Sequence, residues 1–391
     1  MKQILFLVFC SLASVTTSAQ DIGYSQFANK IALNPAFAIA APGTNLYGTF
    51  RGQWLKIPDH PFSFAQANIS GSTEIADRLH SGFDISSSSE GEGYLRNHHF
   101  GGIFGYFLPL QKKNDNTLKA LSLGVEASGN VQSINWDKLV FSDQIDPILG
   151  QISNTSQAIP PITPRKSFGD IDFGLLYEQQ VGKDELGFYE VGLHVQHILS
   201  PETSIQNLQS KLPTHFTIHG GGSFCINPNK SFSDFLFLSP NFKVDLQDVS
   251  NSRLTSFSLG TNIIYVPSTK AGRDVVAEYQ TFFTGFYLQN RYPILYNGIN
   301  TTTFTALVGF KIKRSSTNFE CIASYDWNVG GINHSNTAGT FEVSIILGTE
   351  QGLFDLFRNG IGDNNNNNNR GKRGGKTKHC PSWGKSSYAK T

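Results

Sequence analysis

Three consecutive runs of alternating apolar and polar residues constrain the fold of this chain more than any other feature. They cover 302–313, 317–329 and 339–349, and each keeps apolar side chains at every second position. This period indicates β-strands with one apolar face. Soluble strands usually have about 5–6 residues, whereas a tilted strand that crosses a bilayer needs about 9–11. Because polar side chains fill the second face, as in a wet barrel lumen, we predict an all-β fold, a transmembrane antiparallel β-barrel.

The alternation also assigns the two faces of the wall. Phe310, Ala323 and Ile345 belong to apolar rows that we assign to lipid. Three carboxylates fall on the lumen face: Glu320, Asp326 and Glu342. They could form a paired-carboxylate site, but a polar lumen lining explains them without chemistry.

A search for catalytic motifs favours a protein that is not an enzyme. The sequence contains no Gly-x-Ser-x-Gly, phosphate-loop or His-Glu-x-x-His motif. His98 and His99 are adjacent at the start of a strand, so they point to opposite faces and are poorly placed to share a metal. We therefore predict no catalytic residues, no metal site and no cofactor.

The first residues have the three parts of a secretory signal peptide, which we assign to 1–19. No later run of about 18 apolar residues could form a transmembrane helix, which favours a closed barrel. Cleavage would leave Cys225, Cys321 and Cys380 without a Cys-x-x-Cys spacing, which argues against a disulfide framework or a zinc site. The net charge of +1 gives no reason to expect a nucleic-acid partner.

Alternation along the whole chain predicts about 14 strands within a barrel domain at 44–349. Thirteen are clear, and a weak pattern near 77–87 supplies the even number that bacterial barrels require. The predicted strands are 44–55, 62–71, 77–87, 97–108, 117–130, 168–181, 187–198, 213–226, 234–247, 254–266, 273–286, 302–313, 317–329 and 339–349.

The connections between these strands sort by length. If both termini are periplasmic, the short connections fall on the periplasmic side and most long ones fall outside, which is the asymmetry of such barrels. The longest, 131–167, contains Trp136, Phe141 and several prolines. It could meet a partner or cover the mouth of its own barrel, and the sequence leaves both readings open.

Several short motifs resemble the PorP/SprF family of outer-membrane proteins from type IX secretion and gliding motility. They occur in family order from about Tyr24 to Leu347, although Phe341 stands where the family has histidine. The motifs are Ser25-Gln26-Phe27, Leu33-Asn34-Pro35-Ala36-Phe37, Arg51-Gly52-Gln53-Trp54, Ile57-Pro58, Gly169-Asp170-Ile171-Asp172-Phe173-Gly174, Val195-Gln196-His197-Ile198, Ser324-Tyr325-Asp326-Trp327 and Phe341-Glu342-Val343-Ser344.

The resemblance implies a component of the secretion machinery in the bacterial outer membrane. Such a protein would contact outer-membrane lipid and periplasmic secretion components, and it would aid export or surface anchoring of a large adhesin-like protein. The alternative is a channel for uptake of a small or hydrophobic solute. An open lumen would favour the channel, and a lumen plugged by side chains and the N-terminal segment would favour the secretion component.

Two segments outside the barrel are candidates for partner binding. Within the N-terminal segment, 20–43, an Asn-Pro turn is expected to tuck the chain into the periplasmic mouth, with Phe27 and Phe37 as apolar anchors. The alternative is a flexible leader before the first strand. The candidate residues of this turn are Asn34, Pro35 and Phe37.

The C-terminal segment, 350–391, contains a run of asparagines at 364–369. The residues after it, 370–391, include seven cations and no acid. This composition predicts a disordered, basic, periplasmic tail. Within it, Cys380, Pro381 and Trp383 form a compact island that is similar to endings of many family members. Whether the tail docks on a partner or is idle stays open at this point.

Overall fold

The fold is described from a computed structural model. The described residues are 29–41, 43–54, 64–76, 78–91, 95–110, 119–158, 160–161, 163–181, 187–205, 210–227, 235–249, 252–267, 278–293, 301–314, 317–330 and 339–349. The predicted signal peptide, Phe27 and the predicted tail lie outside these residues.

Strands make up 76% of the described residues. Two short helices, α1 (Lys30–Leu33) and α2 (Ala36–Ala40), precede the first strand. The strands are β1 (Thr44–Gln53), β2 (Phe64–Ala76), β3 (Leu79–Glu90), β4 (Leu95–Pro109), β5 (Lys119–Ser133), β6 (Ile145–Asp146), β7 (Gly150–Gln151), β8 (Arg165–Val181), β9 (Gly187–Gln196), β10 (His215–Cys225), β11 (Phe235–Val249), β12 (Ser252–Val266), β13 (Glu278–Pro293), β14 (Thr301–Arg314), β15 (Thr317–Gly330) and β16 (Thr340–Thr349).

Fourteen of these strands form one closed antiparallel barrel. Each long strand pairs with its neighbours in sequence, and β1 pairs with β16 to close the sheet. Thr44 lies opposite Thr349 in that pairing, so the barrel begins and ends at the same rim. The predicted fold class and strand number are confirmed. Among the described residues, no helix is long and apolar enough to cross a membrane.

Two strands test how well alternation predicts strand limits. The weak pattern at 77–87 is confirmed as β3, which runs from Leu79 to Glu90. The prediction of 273–286 is wrong at its C-terminal end, since β13 runs to Pro293, and its first residues, 273–277, lie outside the described residues. The polar residues Gln289, Asn290 and Arg291 remain paired with both β12 and β14. The register of the neighbours, and not hydrophobicity, therefore determines where this strand ends.

The two faces of the wall follow the predicted alternation. Ile345 is 44% exposed on the outer surface, and Phe310 and Ala323 are also exposed there. Glu320, Asp326 and Glu342 are buried on the inner surface.

The inner surface is nevertheless not uniformly polar. Seven inward side chains from β11 to β15 pack together as an apolar cluster, which we call the far-wall cluster: Phe237, Ile264, Val266, Phe283, Tyr287, Leu307 and Ile322.

A buried ion network spans the seam where the barrel closes. Arg51 on β1 donates through Nη1 to Glu342 Oε2 and through Nη2 to Asp326 Oδ2, both at 3.0 Å. Thr305 Oγ1 donates to the other oxygen of Asp326 at 2.7 Å. Removing one partner of a buried ion pair costs about 3–5 kcal/mol, because the other charge is left uncompensated. Loss of either carboxylate alone should therefore destabilise the seam.

The long connection between β5 and β8 has structure of its own. Trp136 packs against Phe141 with ring centroids 5.0 Å apart, and β6 and β7 form a small hairpin. Asp146 Oδ1 accepts the backbone N–H groups of Ile148 and Leu149 at the tip, which holds the pKa of its carboxyl below the usual value. At that tip Ile148 is 91% exposed, an unusual position for a large apolar side chain.

Candidate functional site

The lumen of the barrel contains the chain's own N-terminal segment. Residues 29–41, which we call the plug, lie against inward-facing positions of β2, β3, β4, β5, β8, β9 and β10. Every residue of α2 is at least 95% shielded from solvent. Because α1 has four residues and α2 five, neither would be stable alone. The wall of the barrel must therefore hold them in place.

Asn34 attaches the plug to the wall at the turn between its two helices. Its Nδ2 donates to the carbonyl oxygens of Leu175 on β8 and Leu193 on β9, both at 3.2 Å. Its Oδ1 accepts the backbone N–H of Ala36 at 2.9 Å, which fixes the turn around Pro35. The side chain is fully buried, so its bonds stay protected from water.

Asn29 makes a second attachment at the start of α1. Its Oδ1 accepts the backbone N–H of Ala32 at 3.2 Å and so caps the helix. The same oxygen accepts a hydrogen bond from Ser70 Oγ at 3.0 Å, and Asn29 Nδ2 donates one to Asn68 Oδ1 on β2. The plug is thus hydrogen-bonded to β2 through Asn29 and to β8 and β9 through Asn34.

Two facing glycines form the surface on which the turn rests. Gly124 on β5 lies opposite Gly174 on β8. A Cβ atom on Gly124 would lie 2.7 Å from the carbonyl carbon of Pro35, and one on Gly174 would lie 2.8 Å from the Ala36 nitrogen. Real Cβ atoms essentially never approach that closely. We call this pair the glycine seat, because any side chain there would displace the plug.

Charge and ring contacts add to the attachment. Lys30 Nζ lies 2.8 Å from Glu190 Oε1 and 4.8 Å from the centre of the Phe37 ring. Glu190 faces Glu178 across β8 and β9, so Lys30 brings a positive charge to two buried carboxylates. Phe37 also packs against His219, with ring centroids 5.3 Å apart.

The space between the plug and the opposite wall includes a cavity of about 20 Å³. Its lining includes Lys30 of the plug, His219 on β10, Asn241 on β11 and Asn262 on β12. A water molecule needs about 10–15 Å³, so this cavity holds roughly one.

The structure brings together one of the two predicted groups of site residues. Asn34, Pro35 and Phe37 meet the wall near the middle of β8 to β10, deeper than the predicted periplasmic mouth. Cys380, Pro381 and Trp383 lie outside the described residues. Sequence reasoning missed the glycine seat and Lys30. The available signal for the seat was that Gly124 and Gly174 both occupy lumen-facing positions, on two neighbouring strands.

The fold and the plug define a class of protein: a large membrane β-barrel that encloses part of its own N-terminal segment. Residues 16–347 match the family described as type IX secretion system membrane protein PorP/SprF. The match covers most of the chain, which therefore belongs to this family and is an outer-membrane barrel of type IX secretion.

Solved structures give more distant likenesses. The chain is similar to a bacterial polysaccharide outer membrane secretin, with 6% identity over 79% of this chain and 98% of that one and a TM-score of 0.40. An outer membrane channel from Pseudomonas putida F1 has 7% identity, coverages of 84% and 99% and a TM-score of 0.39. OmpT of Vibrio cholerae has 10% identity, coverages of 79% and 99% and a TM-score of 0.30. No conclusion about function follows from these scores. No curated protein matches the sequence.

Proposed function

We propose that this barrel is a plugged adaptor of the type IX secretion and gliding machinery that aids export or surface anchoring of a large adhesin-like protein. The observation that carries the proposal is the occupation of the lumen by residues 29–41. A solute channel needs a continuous path of water or apolar surface through its lumen. The plug and the far-wall cluster occupy that volume from opposite sides, which supports an adaptor over a channel.

The placement of the chain ends supports contact with periplasmic components. The barrel begins and ends at one rim. The two longest connections, between β5 and β8 and between β9 and β10, lie at the opposite rim, as in barrels whose long loops face the cell exterior. We infer that both termini are periplasmic, where the tail can reach the rest of the machine. The opposite rim carries the β6–β7 hairpin with exposed Ile148 and Leu149, a surface suited to an exported partner.

We propose the tail as the docking peptide for a periplasmic component, and no catalytic role for any residue. A flexible coil of ~20 residues spans roughly 25 Å on average, which gives the tail reach beyond the rim. Its cations would be drawn to an acidic surface, and an interaction of this kind weakens with salt. Trp383 would supply a specific anchor, because one buried aromatic can dominate a small interface.

Truncation after Gly362 tests the proposal. We expect a folded, inserted barrel in cells that no longer secrete the cognate surface protein. Trp383→Ala should have the same effect if a protein partner binds the tail, whereas Tyr388→Ala is the matched aromatic control and should secrete normally. Binding to anionic lipid would need the charges but not the tryptophan. Normal secretion by the truncated protein would contradict the docking role.

A further inference from the structure

Three side chains from three neighbouring strands converge in the lumen beside the plug. Asp84 on β3, His99 on β4 and Glu126 on β5 each offer one ligand atom, and these atoms all lie within 4.8 Å of one another. His99 Nε2 is 2.8 Å from Glu126 Oε1. Both carboxylates are buried, at 6% and 5% exposure. One imidazole and two carboxylates are ligands that protein metal sites use.

Outer hydrogen bonds orient two of the three side chains. His99 Nδ1 is 2.9 Å from Asn130 Oδ1, which can only accept, so Nδ1 carries the proton toward the amide. With Nδ1 protonated, Nε2 is the ring nitrogen that faces the carboxylates, and it can bind a metal ion once it has lost its own proton. Asn68 Nδ2 donates to Asp84 Oδ1. Metal-binding histidines and carboxylates are usually held by outer partners of this kind.

Gly101 provides the space in which the group meets. It lies between His99 and Ile103 on the inner face of β4 and directly opposite Asp84 on β3. A Cβ atom there would approach Glu126 Oε1 and would lie 2.8 Å from Glu126 Cδ and 3.0 Å from His99 Nε2. Any other side chain at this position would occupy the space in which the His99 and Glu126 side chains meet.

We propose that Asp84, His99 and Glu126 bind a divalent first-row transition ion of the Zn²⁺ class in the lumen. Imidazole favours such ions, whereas Ca²⁺ and Mg²⁺ prefer oxygen ligands throughout. Ligand atoms about 2.1 Å from a tetrahedral ion lie roughly 3.4 Å apart. The His99–Glu126 contact would open by about 0.6 Å to reach that separation. Asn68 connects Asp84 to Asn29, so the ion would sit next to the plug's attachment.

The competing account is an ion pair without a metal. A protonated His99 would make the same 2.8 Å contact with Glu126 while Nδ1 still donates to Asn130. The two accounts differ in whether Nε2 holds a proton or a metal ion, and a bound ion is directly measurable.

The test uses the full-length protein folded in detergent, titrated with Zn²⁺ and, for its absorption spectrum, with Co²⁺. We expect the natural protein to bind one ion and the His99→Ala and Glu126→Gln variants to bind none. The His98→Ala variant should still bind the ion, because the His98 side chain points away from the lumen. Asn130→Ala should weaken Zn²⁺ binding about 10–100-fold, the usual effect of removing an outer partner. Excess Mg²⁺ should not compete. The difference in migration between heated and unheated samples verifies that each variant is folded.

Three outcomes would overturn the proposal. The first is absence of Zn²⁺ binding by the folded natural protein, which leaves an ion pair only. The second is equal Zn²⁺ affinity in the folded His98→Ala and His99→Ala variants. The third is loss of the ion in His197→Ala but not in His99→Ala, which would place it at the neighbouring group Asp170, Asp172 and His197. None of these outcomes depends on the secretion role, which can stand without a metal.

Discussion

Single residues decide whether the lumen accepts the plug, and the glycine seat is the sharpest case. We expect Gly174→Ala to weaken docking of the plug, since the new methyl group would overlap Asn34, Pro35 and Ala36. Overpacking costs about 1–3 kcal/mol, which shifts an equilibrium roughly 5–150-fold. Conductance in a planar bilayer should therefore rise.

Gly169→Ala is the matched control on the same strand. A methyl group at Gly169 would come no closer than 3.6 Å to any atom outside its chain neighbours, an ordinary contact. Equal conductance of the two variants would mean that the seat does not hold the plug.

The two faces of β15 make a second prediction at the residue scale. Ala323 is exposed on the outer face at the middle of the strand, so we expect Ala323→Arg to lower the yield of folded barrel. Arginine at the bilayer midplane of a barrel costs about 2–4 kcal/mol. Ser324→Arg points into the lumen opposite Glu342 and should be tolerated better. Heat-modifiable migration on gels measures both yields, and similar losses would contradict the assignment of faces.

Elements differ in how far their sequence predicts them. Alternation predicted all fourteen strands because each strand has lipid on one side, and this boundary imposes a period of two. It failed for the C-terminal end of β13, where pairing extends the strand past its apolar residues. It also failed for the far-wall cluster, since Leu307 and Ile322 occupy inner positions where a polar lining was expected.

The plug was predictable in part. The Asn-Pro pair signals a turn, and the structure contains one at Asn34 and Pro35. The depth of that turn depends on the pairing of β5 with β8, which brings Gly124 and Gly174 together although 50 positions separate them. The meeting of His99 with Asp84 and Glu126 depends on the pairing of β4 with β3 and β5 in the same way. A local sequence pattern does not show which residues of distant strands face each other.

Deleting residues 21–40 tests the plug as an element. The deletion removes the attachments made by Asn29 and Asn34, together with both helices of the plug. We expect conductance in a planar bilayer to rise, while the barrel still closes through β1 and β16. Some loss of stability is expected too, because Phe107 and Leu176 lose their apolar cover.

The tail truncation after Gly362 is the control for this deletion, because it removes residues that follow the last strand in sequence and leaves the plug in place. Its conductance should stay at the natural level. A barrel that remains closed without residues 21–40 would show that the far wall alone blocks the lumen.

At the scale of the whole molecule, the orientation in the membrane is the prediction with most consequence. The β5–β8 connection and the tail are expected on opposite sides, since the barrel ends at the rim where it begins and the connection crosses the other rim. Exposed loop tips are preferred sites of proteolysis. Trypsin should therefore cut intact cells within 131–167, where Lys138 is exposed, and should spare the seven cations after Asn364.

Permeabilised cells supply the control, because trypsin that reaches the periplasm should also remove the tail. An antibody against the last residues and mass spectrometry of the fragments distinguish the two cuts. Cleavage of the tail in intact cells would reverse the orientation. Both the docking role of Trp383 and the outward position of Ile148 would then be lost together, since each depends on which rim faces the periplasm.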